Sequence, residues 1–114
     1  ADGCWQEAHQ QFVALGSREA IAITQHHLGQ VARRQGRWEK AVSFYSESLA
    51  FHQAAEDRGM MARCLAGLGG VALARGEGEQ AGRLLDAAKA IFDSLPPFLA
   101  PADAAEFAEM CRAL

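Results

Sequence analysis

The sequence predicts an all-α fold: a superhelix of antiparallel helix pairs, about six helices in all, ending in a C-terminal capping helix. Three observations predict it. The stretch Leu28–Ala50 returns forty residues later as Leu68–Ala90, and eight of 23 aligned pairs are identical. Leu28, Gly29, Val31, Ala32, Gly36, Glu39, Ala41 and Ala50 match Leu68, Gly69, Val71, Ala72, Gly76, Glu79, Ala81 and Ala90. Self-similarity at this level marks a repeat array, in which each unit buries its apolar face on the next. Each copy also holds two runs with apolar residues at i, i+3, i+4 and i+7, the spacing of one helical face. Finally, a single glycine, Gly36 or Gly76, separates the two runs of a copy. A connection that short leaves the two helices antiparallel.

Residues 1–16 read as the second half of a repeat, because Trp5, Ala8 and Phe12 fall where Trp38, Ala41 and Tyr45 fall. Its first half is missing and no initiator methionine is present, so the chain is expected to be a fragment of a longer protein. An unfinished apolar face on this helix predicts dimerisation through it. Ser17 follows Gly16 and caps the next helix.

The repeat over 18–55 begins with a helix to about Gln35, with Ile21, Leu28, Val31 and Ala32 facing inward. Its second helix, from about Arg37 to Ala54, faces inward with Trp38, Ala41, Val42, Tyr45 and Leu49. Phe44 and Phe51 lie at the edge of that stripe, placed to meet the next repeat or a partner. Glu56–Gly59 reads as a polar turn. The repeat over 57–94 holds a helix from about Arg58 or Met60 to Arg75, with Met61, Cys64, Leu65, Leu68 and Val71 inward. A helix from Glu77 to about Ser94 follows, with Leu84, Leu85, Ala88, Ile91 and Phe92 inward. Gly29 and Gly69 lie inside helices, at a cost of about 1 kcal/mol each against alanine. Close approach of the partner helix accounts for them, and Ala41 and Ala81 are the facing small residues.

The segment 95–101 contains all three prolines of the chain and reads as a stiff linker. The capping helix over 102–114 carries Ala104, Phe107, Ala108, Cys111 and Leu114 on one face, with Glu106, Glu109 and Arg112 off it. A polar outer face is what the end of a repeat array requires.

The pairs Leu28-Gly29 and Leu68-Gly69, with Ala41, Tyr45, Ala81 and Ala88, resemble the pattern of the tetratricopeptide repeat family. Some positions depart from that pattern. Gln25 and Leu65 stand where the family carries tryptophan, Ala32 and Ala72 replace a large aromatic, and the period exceeds the usual value of about thirty-four. Longer helices of this kind resemble the arrays found C-terminal in large bacterial transcriptional regulators, after their nucleotide-binding domain. The resemblance implies a non-catalytic scaffold for protein or peptide, in which the first helix of each pair lines a concave groove. The residues it places there are Ile23, His26, Gln30, Arg33 and Arg34 from one helix, and Arg63, Ala66 and Gly70 from the next. Arginines in one trough suit acidic side chains or a C-terminal carboxylate. The alternative reading is an effector-sensing segment whose groove takes a small molecule.

Composition and motifs narrow the chemistry. The chain of 114 residues is 50% hydrophobic, enough for one domain with a core, and its net charge of −3 lacks the basic excess of a nucleic-acid binder. No apolar run reaches membrane-spanning length, and no signal peptide opens the chain. Cys4, Cys64 and Cys111 are odd in number and far apart, as expected of reduced thiols in a cytoplasmic protein. Gly67-Leu68-Gly69-Gly70-Val71-Ala72 fits a loose dinucleotide fingerprint, but no strand precedes it, so helix packing explains its glycines. His26 and His27 are adjacent, pointing about 100° apart on a helix, which is wrong for joint metal ligation and leaves them as surface or groove residues. No nucleophile–base set or paired carboxylates stand out. The sequence therefore predicts no cofactor, no metal and no catalytic residue.

Overall fold

One turn, used three times, sets the geometry. A computed structural model of the chain describes residues 17–95 and 104–113. It contains helices α1 (Arg18–Arg34), α2 (Trp38–Ala54), α3 (Arg58–Ala74) and α4 (Gly78–Ser94), each of 17 residues. A shorter helix, α5 (Ala104–Arg112), has nine. At each junction between the long helices an amide reaches back across the turn: Arg37 donates to the Ala32 carbonyl at 2.8 Å, Asp57 to His52 at 2.9 Å and Glu77 to Ala72 at 2.8 Å. The middle residue is left-handed each time, with φ of 75° at Gly36, 57° at Glu56 and 76° at Gly76. This is the glycine-terminated helix end that satisfies otherwise orphaned carbonyls. Glu56 adopts it without being glycine, at a cost of about 1 kcal/mol. Helix plus turn occupies 20 residues, so the forty-residue sequence repeat is two such steps.

The helix starts differ more than the ends. Ser17 accepts from the Ala20 amide at 3.2 Å, as its position before α1 predicts. Asp57 likewise accepts from Met60 at 3.1 Å. Arg37 and Glu77 make no side-chain cap.

Consecutive helices pack antiparallel, α1 on α2, α2 on α3 and α3 on α4, while α1 and α3 touch side by side. The fold among the described residues is all-α, as the repeat predicts. The helix expected over 1–16, with Trp5, Ala8 and Phe12, lies outside the described residues, as does the linker from Pro96 to Pro101.

The glycines inside helices are contact points. A Cβ on Gly29 would stand 3.0 Å from Tyr45 Cδ1, and one on Gly69 would stand 2.7 Å from Leu85 Cγ. Each sets the approach of α1 to α2 or of α3 to α4. Gly67 does the same between pairs, for its Cβ would clash with Cζ and Cε1 of the Tyr45 ring. Tyr45 is thus gripped from both sides, by Gly29 of α1 and Gly67 of α3. The fingerprint glycines lie in the middle of α3, and helix packing uses all three.

The buried stripe of α2 differs from the expected one. Ala41 and Tyr45 are buried, but Val42 and Leu49 are only half-buried, while Ser48 and His52 are fully enclosed. The reason is that α2 is flanked by both α1 and α3, so its buried arc is centred on the face that Ala41, Tyr45, Ser48 and His52 share rather than on the side of Val42 and Leu49. Likewise α3 is buried at Ala62, Cys64, Ala66, Gly67, Gly69, Gly70, Val71 and Ala72, nearly all round, because it sits between α2 and α4 with α1 and α5 alongside. Phe44 and Phe51 are half-buried, and Phe51 meets the His52 ring edge-to-face at 5.2 Å.

Candidate peptide-binding trough

The two first helices, α1 and α3, bound a trough. From α1 come Gln30 and Arg33, and from α3 come Arg63, Ala66 and Gly67; Tyr45 of α2 forms the floor. Phe107 and Met110 of α5 close the remaining side, leaving a cavity of about 10 Å³. That is room for one water at most. The Arg33 guanidinium is anchored by its Nε, which donates to the Tyr45 hydroxyl at 3.3 Å. The ring that holds it is itself wedged between two glycines. Gln30 is tied within α1, its Oε1 lying 3.2 Å from His27 Nδ1, which donates when protonated there.

Four of the eight residues expected in the groove therefore converge: Gln30, Arg33, Arg63 and Ala66. Gly70 is buried beside them, beneath Met110 and the Arg33 side chain, with Met110 Cε 2.7 Å and Arg33 Cδ 3.3 Å from where a Cβ would be. Ile23 and Arg34 do not line this cavity: Ile23 is half-buried and Arg34 is exposed. His26 corrects the expectation of a surface or groove histidine. It is 3% exposed, inside the stack, edge-on to Tyr45 at 5.6 Å and to His27 at 5.5 Å. Its place on α1 turns it toward α2 and α3 rather than toward the trough.

Tyr45, Gly67, Phe107 and Met110 were not among the expected residues. Phe107 and Met110 are spaced i, i+3, a pairing visible in the sequence, but the stripe through Ala104, Ala108 and Cys111 left Met110 off it.

Beneath the trough lies a polar cluster. Ser48 Oγ donates to the Ala22 carbonyl at 2.7 Å, and Thr24 Oγ1 to Ala20 at 2.9 Å. The Cys64 thiol donates to Ser48 Oγ at 3.5 Å and stands 3.7 Å from His26 Nδ1. Burial pulls His26 down to about 3, with the positive charges of His27, Arg63, His52 and Arg33 adding to the effect. Burial pushes the Cys64 thiol up to about 11. Both groups are therefore neutral near pH 7, and the pair offers no thiolate nucleophile. His52 is lowered too, by burial, against the pull of Asp57 and Glu19. Its Nδ1 stands 3.9 Å from Asp57, and neither ring nitrogen has a hydrogen-bond partner among the described residues. Among those residues no group of three or more histidine, cysteine, aspartate or glutamate side chains gathers as a metal site.

Residues 1–54 match the family model of the tetratricopeptide repeat. No curated protein and no solved structure gives a significant match. Residues 1–54 thus carry a tetratricopeptide repeat, and the copy forty residues on shares its helix lengths and turn geometry. Repeats of this family mediate protein–protein interaction, on a scaffold that is not catalytic. Among the described residues no helix is long and apolar enough to cross a membrane.

Proposed function

We propose that the chain is a non-catalytic scaffold whose trough, lined by Gln30, Arg33, Arg63 and Ala66, binds a protein or peptide segment that presents carboxylates. One observation carries this reading: arginines from the first helices of successive repeats line the same small cavity. A planar guanidinium matches a carboxylate in bidentate geometry, and such charge-assisted pairs are the strong ones. Removing one partner of a charged hydrogen bond costs about 1.5–3 kcal/mol, or roughly ten- to a hundredfold in affinity. In an anisotropy titration with acidic peptides, Arg33→Ala and Arg63→Ala should each weaken binding by at least tenfold. Unchanged binding in both variants would remove the trough from consideration.

The long helices and the forty-residue period support reading the array as part of a larger bacterial regulatory protein working in the cytoplasm. A nucleotide-binding motif encoded upstream of Ala1 is the test. Small-molecule sensing is the weaker reading, since ligand pockets run to about 300 Å³ or more and the enclosed space here is about 10 Å³. Dimerisation through residues 1–16 is a separate proposal, checked by light scattering at rising concentration.

A further inference from the structure

The trough is already filled, and what fills it belongs to the chain. A helix that simply continued the array would pack along α4 as α3 packs along α2. Instead α5 touches α4 only lightly, with Phe107 edge-to-face on Phe92 at 5.0 Å. It reaches α3, where Met110 covers Gly70 beside the side chain of Arg33 from α1, a full repeat further back. Phe107 and Met110 together close the cavity over Gln30, Arg33 and Arg63. They sit as a bound helical peptide would, with two anchors one turn apart.

Two features make this occupant replaceable. It is nine residues long, and none of its side chains from Phe107 to Arg112 is fully buried. A helix that short is marginal without its docking contacts. It is also an incomplete ligand. Among the described residues no carboxylate comes within ion-pair distance of Arg63, and Glu109 of α5 is exposed.

Resting on the trough reading above, we propose that α5 is an internal competitor for the trough. The external partner is an acidic amphipathic helix that presents an aromatic residue and a methionine or leucine at i, i+3. Such a helix repeats the Phe107–Met110 contact and adds a carboxylate for Arg63. A site occupied by its own chain in nine molecules out of ten binds an outside ligand about tenfold more weakly than a vacant one.

The probe is a fluorescein-labelled peptide with the sequence of residues 101–114, titrated into the full chain. Phe107→Ser with Met110→Ser undocks α5, so the double variant should bind the peptide at least tenfold more tightly than the original chain. Adding Gly70→Leu, which fills the Met110 seat, should abolish that binding. A double variant that keeps its helical circular dichroism and binds no more tightly overturns the proposal. Hydrogen exchange on the unaltered chain provides a second readout that needs no substitution. Excess peptide should speed exchange at 107–112 and leave α1–α4 unchanged, and unchanged exchange at 107–112 overturns the proposal equally. The arginine variants separate the two ideas. If they lose acidic peptides while undocking α5 does nothing, the trough stands and the competitor falls. If undocking strengthens binding while the arginines are indifferent, the carboxylate reading falls.

Discussion

The pair α1–α2 closes over Thr24, His26, Ser48 and His52, all 3% exposed or less. Forty residues on, the pair α3–α4 carries Cys64, Ala66, Ala88 and Phe92 at the same places. The skeletons nevertheless coincide: Gly29 faces Tyr45 as Gly69 faces Leu85, and Ala41 and Ala81 are both completely buried. Close approach of the helices is thus set by glycine, alanine and the turn, while the filling between them is free to vary. Polar filling has a condition attached, because a buried polar group costs free energy unless it is hydrogen-bonded. Thr24 and Ser48 meet it through backbone carbonyls, whereas His52 does not.

The sharpest way to break this comparison is through its two keystones. Tyr45 is held by glycines on two helices and Leu85 by one. Tyr45→Ala should cost roughly 4 kcal/mol and Leu85→Ala about 3 kcal/mol, on the scale of large-to-alanine changes in cores. Urea unfolding of the two variants decides it, and a Leu85→Ala cost equal to or above that of Tyr45→Ala would remove the asymmetry.

Acid should separate the two repeats next. His26 titrates near 6.5 when unfolded and near 3 when folded, so between those values the unfolded state takes up the proton. Stability is complete above pH 6.5 and falls as the pH drops toward 3, by up to about 1.4 kcal/mol per pH unit from this residue. His52, also lowered, adds in the same sense. Hydrogen exchange at pH 5 should show α1 and α2 losing protection before α4, which carries no histidine. Equal loss in all helices would contradict the assignment.

His52→Phe gives the first repeat the residue found at Phe92. It removes two buried ring nitrogens without partners, each kind of group being worth about 1–3 kcal/mol when unsatisfied. The variant should gain about 1 kcal/mol at pH 7 and show a shallower loss of melting temperature between pH 7 and pH 5. No change in either quantity would mean that His52 is satisfied in solution.

An effect of similar size concerns the turn between the repeats. Glu56 takes the left-handed conformation that Gly36 and Gly76 take at the other two turns. Glu56→Gly should therefore stabilise the chain by about 1 kcal/mol, whereas Gly76→Ala should destabilise it by a similar amount. Chemical denaturation that showed the same sign for both would end the equivalence of the three turns.

Much of the architecture was legible beforehand because its signals are local. Leu-Gly pairs, a glycine every forty residues and Ser17 before an apolar-periodic run each act within one or two turns of helix. The polar interior was not legible. Ser48 and His52 share the helical face of Ala41 and Tyr45, but their polar side chains disguise it, and the presence of α1 on one side and α3 on the other buries them. His26 was misplaced for the same reason, since its type and its histidine neighbour suggested an exposed position. Arg33, Arg63, Gln30 and Ala66 were found through the resemblance, while Tyr45 beneath them was read as core and its hydroxyl contact went unseen.

By itself, the sequence determined that helices form, where they turn and which small residues let them nest, because those outcomes depend on residues close together in the chain. Only the tertiary structure decided that α5 turns back over the trough and that two arginines thirty residues apart line one cavity. Such placements depend on how neighbouring helices share a limited surface, and no periodicity within a single helix encodes that.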